Sequence, residues 1–305
     1  MLVLSVFSTL FRRCIEGLNQ VFKGGAQNFH LKTGIPTLVL IIAQFSSVFV
    51  YGTSYTITCN NVSGLISAIN TANGNGTDDT IILASSCTYN FTAINNYVYG
   101  PNALPEIKSK ITIQGNGATL YRNTTTKFRF FFVDTNGTLI LDDLTLKNGA
   151  IIGGTGGTGI QTSAGGGGGA GMGGAIFNKG NLTASNVTFN SNAVNGGTGG
   201  AGTAGSSYYT GGGGGGGIYG SGGAGGWTTS NAGGGGGGGG FSGSGGTGGG
   251  WGANGNAGAS IGGGGGGAGT TTSGTRTGGS GANNGGNGGP GQWCGVEVTQ
   301  TGTNG

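Results

Sequence analysis

Charge is the first thing this 305-residue chain lacks: only 7% of its residues are Asp, Glu, Lys or Arg, where ordinary globular chains carry roughly a quarter. No charged residue occurs between Gly180 and Thr275. There is a single histidine, His30, and no Cys-x-x-Cys pair, so structural zinc and a His-activated nucleophile have almost nothing to be built from. Proline appears only four times, which removes collagen despite the glycine content. Lysine is missing from the glycine-rich region 196–305 and no G-x-x-x-x-G-K-[ST] occurs, so the glycine runs are not phosphate loops. No cofactor is expected.

What is abundant is glycine, 81 residues, of which only 13 precede Ala150. The first half is different. Arg12, Arg13, Lys23 and Lys32 lead into the apolar run "TLVLIIAQFSSVFVYG" at 37–52, which falls short of the ~20 residues of a membrane span. It ends in small residues, with Val50 and Gly52 ahead of Thr53. The pattern reads as a secretory leader over 1–52, with a signal anchor as the rival reading. After its removal 8 Lys and Arg stand against 7 Asp and Glu. Nucleic acid then loses its electrostatic attraction, no transmembrane span remains, and the product is expected outside the cell or on its surface.

Export frames the cysteines. Cys59 and Cys87 are 28 positions apart in the best-patterned region, and a disulfide between them suits an oxidising compartment. Cys294 is left over, as a buried thiol or a link to another chain.

Residues 53–195 read as the ordered domain. "TSYTIT" (53–58) and "DDTIIL" (78–83) alternate like strands. Between them "SGLISAINTAN" offers Ser63 as an N-cap and Leu65, Ala68, Ile69 and Ala72 on one helical face. Ile111 and Ile113 precede a Gly-Asn-Gly corner, and Ala118 and Leu120 follow it.

An internal repeat decides the architecture. "GTLILDDLTLKNGA" (137–150) laid over "GNLTASNVTFNSNA" (180–193) sets Leu139 on Leu182, Leu141 on Ala184, Leu144 on Val187 and Leu146 on Phe189. Upstream, "FFV" (131–133) falls on "GAI" (174–176) as a third short strand. Short strands separated by corners, about 20 residues per pass, form one coil of a parallel β-helix, which must stack to bury its inward face. Leu146 and Phe189 are expected to point inward. The 43-residue offset leaves a glycine-rich insert at 151–172, and a glycine-rich region follows over 196–305.

"GGAI" (Gly173, Gly174, Ala175, Ile176) followed by "FNSN" (Phe189 to Asn192) resembles the GGA-I and F-x-x-N repeat pair of the polymorphic outer-membrane proteins and related right-handed β-helix repeat proteins. "SGLISAINTANGNGTDDTIIL" resembles their N-terminal capping region. The resemblance covers roughly 54–195 and implies an all-β, pectin-lyase-like right-handed β-helix with a capping helix. The full motif pair appears once here, and no C-terminal β-barrel follows.

Two readings of the glycine tracts at 196–205, 211–217, 233–240, 243–250, 262–269 and 278–291 stay open. They are flexible coil, or polyproline-II-type strands of ~3.1 Å per residue packed through bare Cα atoms. Tyr219, Trp227, Phe241 and Trp251 at the tract ends favour packing. The tail resembles the polyglycine-bundle domains of some adhesins and receptor ectodomains.

Three functions compete: a non-enzymatic structural or adhesive surface protein, a polysaccharide lyase or hydrolase, and a self-associating matrix or filament subunit. A glycosidase needs two carboxyls across the scissile bond, but Asp142 and Asp143 occupy a corner matched by Ser185 and Asn186 in the repeat. Arg122, Lys127 and Arg129 are the cations available to an acidic sugar. N-glycosylation sequons stand at Asn61, Asn75, Asn90, Asn123, Asn136, Asn181 and Asn186. The expected partners are a polysaccharide or cell-surface ligand and further copies of the chain.

Overall fold

The computed structural model describes residues 52–160, 163–203, 211–227, 233–250, 252–269, 276–283 and 285–289. The expected leader (1–52, save Gly52), Trp251 and Cys294 lie outside the described residues. Residues from Tyr51 onward form one compact unit.

The chain opens with β1 (Ser54–Ile57), α1 (Val62–Asn75), β2 (Asp79–Leu83) and β3 (Thr88–Phe91). Helix α1 is capped by Asn61, not by Ser63: the Asn61 side chain accepts from the Gly64 amide at 2.9 Å and from the Ser63 hydroxyl at 3.0 Å. A side-chain acceptor just outside the first turn satisfies an amide with no partner inside the helix, and asparagine reaches it one residue ahead of Val62. The helix ends at Gly76 in the left-handed conformation, the usual glycine stop. Leu65, Ala68, Ile69 and Ala72 are buried, as their spacing predicts, against the β1–β4 end of the core. Asn73 fixes the helix by accepting from the Lys108 amide at 2.8 Å and donating to the Glu106 carbonyl at 2.7 Å. A disulfide joins Cys59 to Cys87.

Then come β4 (Lys110–Arg122), β5 (Phe131–Val133), β6 (Thr138–Lys147) and β7 (Ala150–Ile152). The second pass is β8 (Ile176–Asn178), β9 (Asn181–Asn190) and β10 (Ala193–Asn195). Every pairing between these strands is parallel. The largest sheet runs β1-β2-β4-β6-β9 with β3 also on β4, and β5 with β8 and β7 with β10 form two further sheets. No helix among the described residues is long and apolar enough to cross a membrane.

The repeat is realised residue for residue along β6 and β9: Leu139 lies on Leu182, Leu141 on Ala184, Leu144 on Val187 and Leu146 on Phe189. With β4 beneath, apolar columns such as Tyr89–Leu120–Leu146–Phe189 result. Each buried Leu or Ile in them contributes ~1.5–3 kcal/mol relative to exposure. Asp143 and Asn186, both at φ 50°, make the matching bends. Upstream the register is corrected by two residues: Phe131 lies on Ile176, not Gly174. Four residues (134–137) connect β5 to β6, but only Lys179 and Gly180 connect β8 to β9, so a shorter corner absorbs the difference.

Leu146 is fully buried as expected, whereas Phe189 shares its inward column but is 54% exposed, so its expected core burial fails. Phe189 has the right register, but β9 is the last strand of its sheet and no strand among the described residues is stacked on it.

Candidate functional site

The glycine tracts are built into the same unit by hydrogen bonds that recur every third residue. The amides of Gly153, Gly156 and Gly159 donate to the carbonyls of Asn195, Thr198 and Ala201. Those of Gly154 and Gly157 donate to Gly217 and Gly214, and those of Gly220, Gly223 and Gly226 to Gly240, Gly237 and Gly234. The insert therefore bonds directly to the tail. A three-residue repeat matches three residues per turn in an extended chain without internal bonds. Glycine is required where strands touch: a Cβ on Gly236 would sit 1.9 Å from the Gly223 carbonyl oxygen, and one on Gly237 would sit 2.1 Å from that of Gly264. Gly235 and Gly238 face outward, with nothing nearer than 3.8 Å.

Where this glycine layer meets the stacked strands lies an aromatic seam. Strand β5 is buried on both faces, with Phe131 and Val133 in the core and Phe132 against Tyr99. Tyr99 stacks on Phe132 at 4.9 Å, meets Phe241 edge-on at 4.7 Å and approaches Phe177 at 6.0 Å. Lys179 donates to the Tyr99 hydroxyl at 2.7 Å. Tyr99 holds φ 53°, a conformation costly for an aromatic residue and retained where surrounding packing enforces it. Beside it Tyr97, 54% exposed, lies 6.1 Å from Tyr219. A hollow of about 260 Å³ opens between Tyr99, Ile218, Phe241 and Ile261 and the neighbouring glycines. A larger groove over Gly234–Gly239 is walled almost wholly by backbone.

Arg129 sits under the seam. Its side chain is fully buried, donates Nη1 to the Tyr99 carbonyl at 3.0 Å, and lies 5.1 Å from the Phe177 ring centre. Its Nε and Nη2 have no hydrogen-bond partner among the described residues. Loss of solvent lowers its pKa to about 10. Gly100, at φ 109°, leaves room for it, since a Cβ there would meet Nη2 at 2.9 Å.

The sequence candidates for sugar chemistry do not converge. Arg122 is bound to the carbonyls of Asn148, Thr124 and Thr126, Lys127 is exposed, and Arg129 is buried. Asp142 is exposed on the corner, and Asp143 accepts from Asn186 at 2.6 Å, so the two repeats' corner residues bond to each other. Among the described residues no three His, Cys, Asp or Glu side chains gather as metal ligands.

The motif residues have structural work. Asn192 accepts from the Gly149 amide at 2.7 Å and donates to the Leu146 carbonyl at 2.8 Å, tying one pass to the pass beneath. Gly173 adopts φ 66° at the turn into β8, Gly174 and Ala175 are buried, and the Ala175 carbonyl accepts from Phe130 and Phe131. Ile176 is half-buried on Phe131. Of the sequons, Asn75, Asn123, Asn136, Asn181 and Asn186 are exposed, while Asn61 and Asn90 are half-buried and Asn61 is the helix cap. The seam itself had one unread signal, the aromatic run "FRFFFV" at 128–133, typical of a strand covered on both faces. No protein-family model, curated protein or solved structure matches the chain.

Proposed function

We propose that this is a secreted or cell-surface protein with a structural or adhesive role and no catalytic activity. In this reading residues 53–195 form a short right-handed parallel β-helix of the polymorphic outer-membrane repeat kind, and the glycine tracts form a polyglycine-II-like bundle. The observation that carries it is the three-residue hydrogen-bond ladder joining 153–159 to 195–201 and 154–157 to 214–217. Much of the chain goes into extended backbone that presents no reactive side chains, which suits a rigid display or packing element better than chemistry. The disulfide supports an oxidising compartment. The exposed rings of Tyr97 and Phe241 offer apolar faces to a polysaccharide or another surface ligand.

The test is expression with the intact leader in a secreting host, followed by binding to immobilised polysaccharides and cell surfaces. The mature chain should begin near Thr53, and binding should fall at least tenfold in the Tyr97→Ser, Phe241→Ser double variant. Sugar release above a heat-killed control, abolished by Asp142→Asn, would overturn the non-catalytic reading.

A further inference from the structure

The last pass of the chain is symmetric about its own middle. Strand β8 (Ile176–Asn178) and strand β10 (Ala193–Asn195) flank β9 (Asn181–Asn190), with two connecting residues on each side. The bend lies at Ser185–Asn186, with Leu182 and Ala184 inward on one arm and Val187 and Phe189 on the other. Reversing the direction of this pass maps Leu182 onto Phe189, Ala184 onto Val187, and β8 onto β10.

We propose that this pass is the interface of a two-fold dimer, in which a second copy of the chain lays its own β9 antiparallel on β9 and its β10 on β8. The symmetry axis runs through the bend and exchanges the two arms, so inward positions meet inward positions: Leu182 faces the partner's Phe189, and Ala184 the partner's Val187. Three observations select a second copy over other occupants. The opposite end of the apolar columns is covered by α1, so head-to-tail stacking has no receptor and this end, uncovered among the described residues, is left to pair with itself. The outer edge of β9 is unpaired among the described residues, and Phe189 stands 54% exposed on it. Lys179 is the one charge within 176–195. The two-fold sets it opposite the partner's Asn192, so no like charges oppose each other, and the edge carries none of the charges or prolines that normally block pairing. Twenty residues per partner also matches the ~20–30 of a standard stable interface.

The dimer depends on the strand layout and not on where the protein resides, so it can fail while the proposed role stands, and the reverse. The test uses the full mature chain from a host that adds no N-glycans, because Asn181 and Asn186 lie on this edge. Sedimentation velocity should show a concentration-dependent monomer–dimer equilibrium with no larger species. Phe189→Lys should raise the dissociation constant at least a hundredfold while leaving the circular dichroism spectrum and monomer melting temperature unchanged. In a Cys294→Ser background, oxidising a mixture of Leu182→Cys and Phe189→Cys chains should give the mixed dimer far above either self-linked product, since directly opposed residues lie ~4.5–5.5 Å apart at Cα within disulfide reach. A chain that stays monomeric at every concentration, a dimer indifferent to Phe189→Lys, or preferential Phe189→Cys self-linking each overturns the proposal. So does slow exchange of the β9 outer amides in a monomer, which would mean the chain covers its own edge.

Discussion

Two neighbouring glycines should respond to the same added methyl group with opposite signs. Gly237 is buried, its amide donates to Gly246 and its carbonyl accepts from Gly223, both at 2.8 Å. An alanine Cβ there would lie 2.1 Å from the Gly264 carbonyl oxygen and 2.7 Å from Gly264 carbon. Relief needs the 233–240 and 262–269 strands to part by more than an ångström, which breaks the two bonds that join them, from the Gly264 amide to the Gly238 carbonyl and from the Gly267 amide to the Gly235 carbonyl, at ~1 kcal/mol each and adds ~1–3 kcal/mol of overpacking strain. Gly237→Ala should therefore cost about 3–5 kcal/mol by those same values. Gly238 is exposed, has no left-handed φ, and offers 3.9 Å of clearance to the nearest atom, the Gly215 oxygen. Gly238→Ala then acts mainly on the unfolded chain and should stabilise by ~0.4–1 kcal/mol. Chemical denaturation followed by native-state hydrogen exchange over 233–240 measures both. Equal effects at the two positions, or fast exchange of all these amides in the parent protein, would refute the packed arrangement and return the tracts to flexible coil.

Further outcomes follow from the stacked strands. Leu146→Ala should cost ~2–5 kcal/mol, whereas Phe189→Ala, at low protein concentration, should stay within about 1 kcal/mol of the parent as an exposed substitution; urea denaturation of both decides it. Reducing the Cys59–Cys87 disulfide, which closes a 28-residue separation, should remove ~3–4 kcal/mol by the loop-entropy relation, read as a lower denaturation midpoint in reductant. Arg129→Met should leave the protein as stable or more so, because it removes a buried cation with two unpartnered nitrogens and replaces it with an apolar side chain of similar reach. A loss above about 2 kcal/mol would show that the Tyr99 contact outweighs the burial cost.

The parallel stacking was legible because periodicity two is a local property and the repeat copied it at a fixed offset. Leu139, Leu141, Leu144 and Leu146 found their partners in the second copy from spacing alone. The corner before them was not legible: spacing cannot tell whether a loop or a strand absorbs two residues, so the fixed offset sets Phe131 against Gly174 where the fold sets it against Ile176. Phe189 shows a different limit. Its pattern is that of a core residue, but burial needs a neighbour above as well as below, and the number of stacked passes is a property of the whole chain. The aromatic seam was hidden because Tyr99, Phe132, Phe177 and Phe241 are brought together only by the fold. The glycine strands carry a trace in the sequence. In "GGTGGTG" (153–159) Thr155 and Thr158 hold every third position and are exposed, while Gly154 and Gly157 would collide with Gly220 and Gly223 if they bore a Cβ.

That period explains how glycine-rich sequence can order at all. Fixing a residue's backbone costs ~1–2 kcal/mol, most of all for glycine, and one interstrand bond returns ~1 kcal/mol, so an isolated tract has no reason to leave the coil. The insert is differently placed. It leaves β7 at Ile152 and re-enters at β8 near Ile176, so its two arms are held antiparallel by a scaffold already paid for in apolar burial. Gly166 and Gly169 can then donate to Gly157 and Gly154 without a separate closure cost, and the pair presents ready-made rows to Asn195–Ala201 and to Gly213–Gly217. The 233–240 strand adds bonds to two that are already fixed: Gly236 and Gly239 donate to Gly212 and Gly215, while Gly237 receives Gly223. Order spreads outward from the stacked strands, which is why the scaffold makes one more pass at 173–195 before the long run of glycine begins.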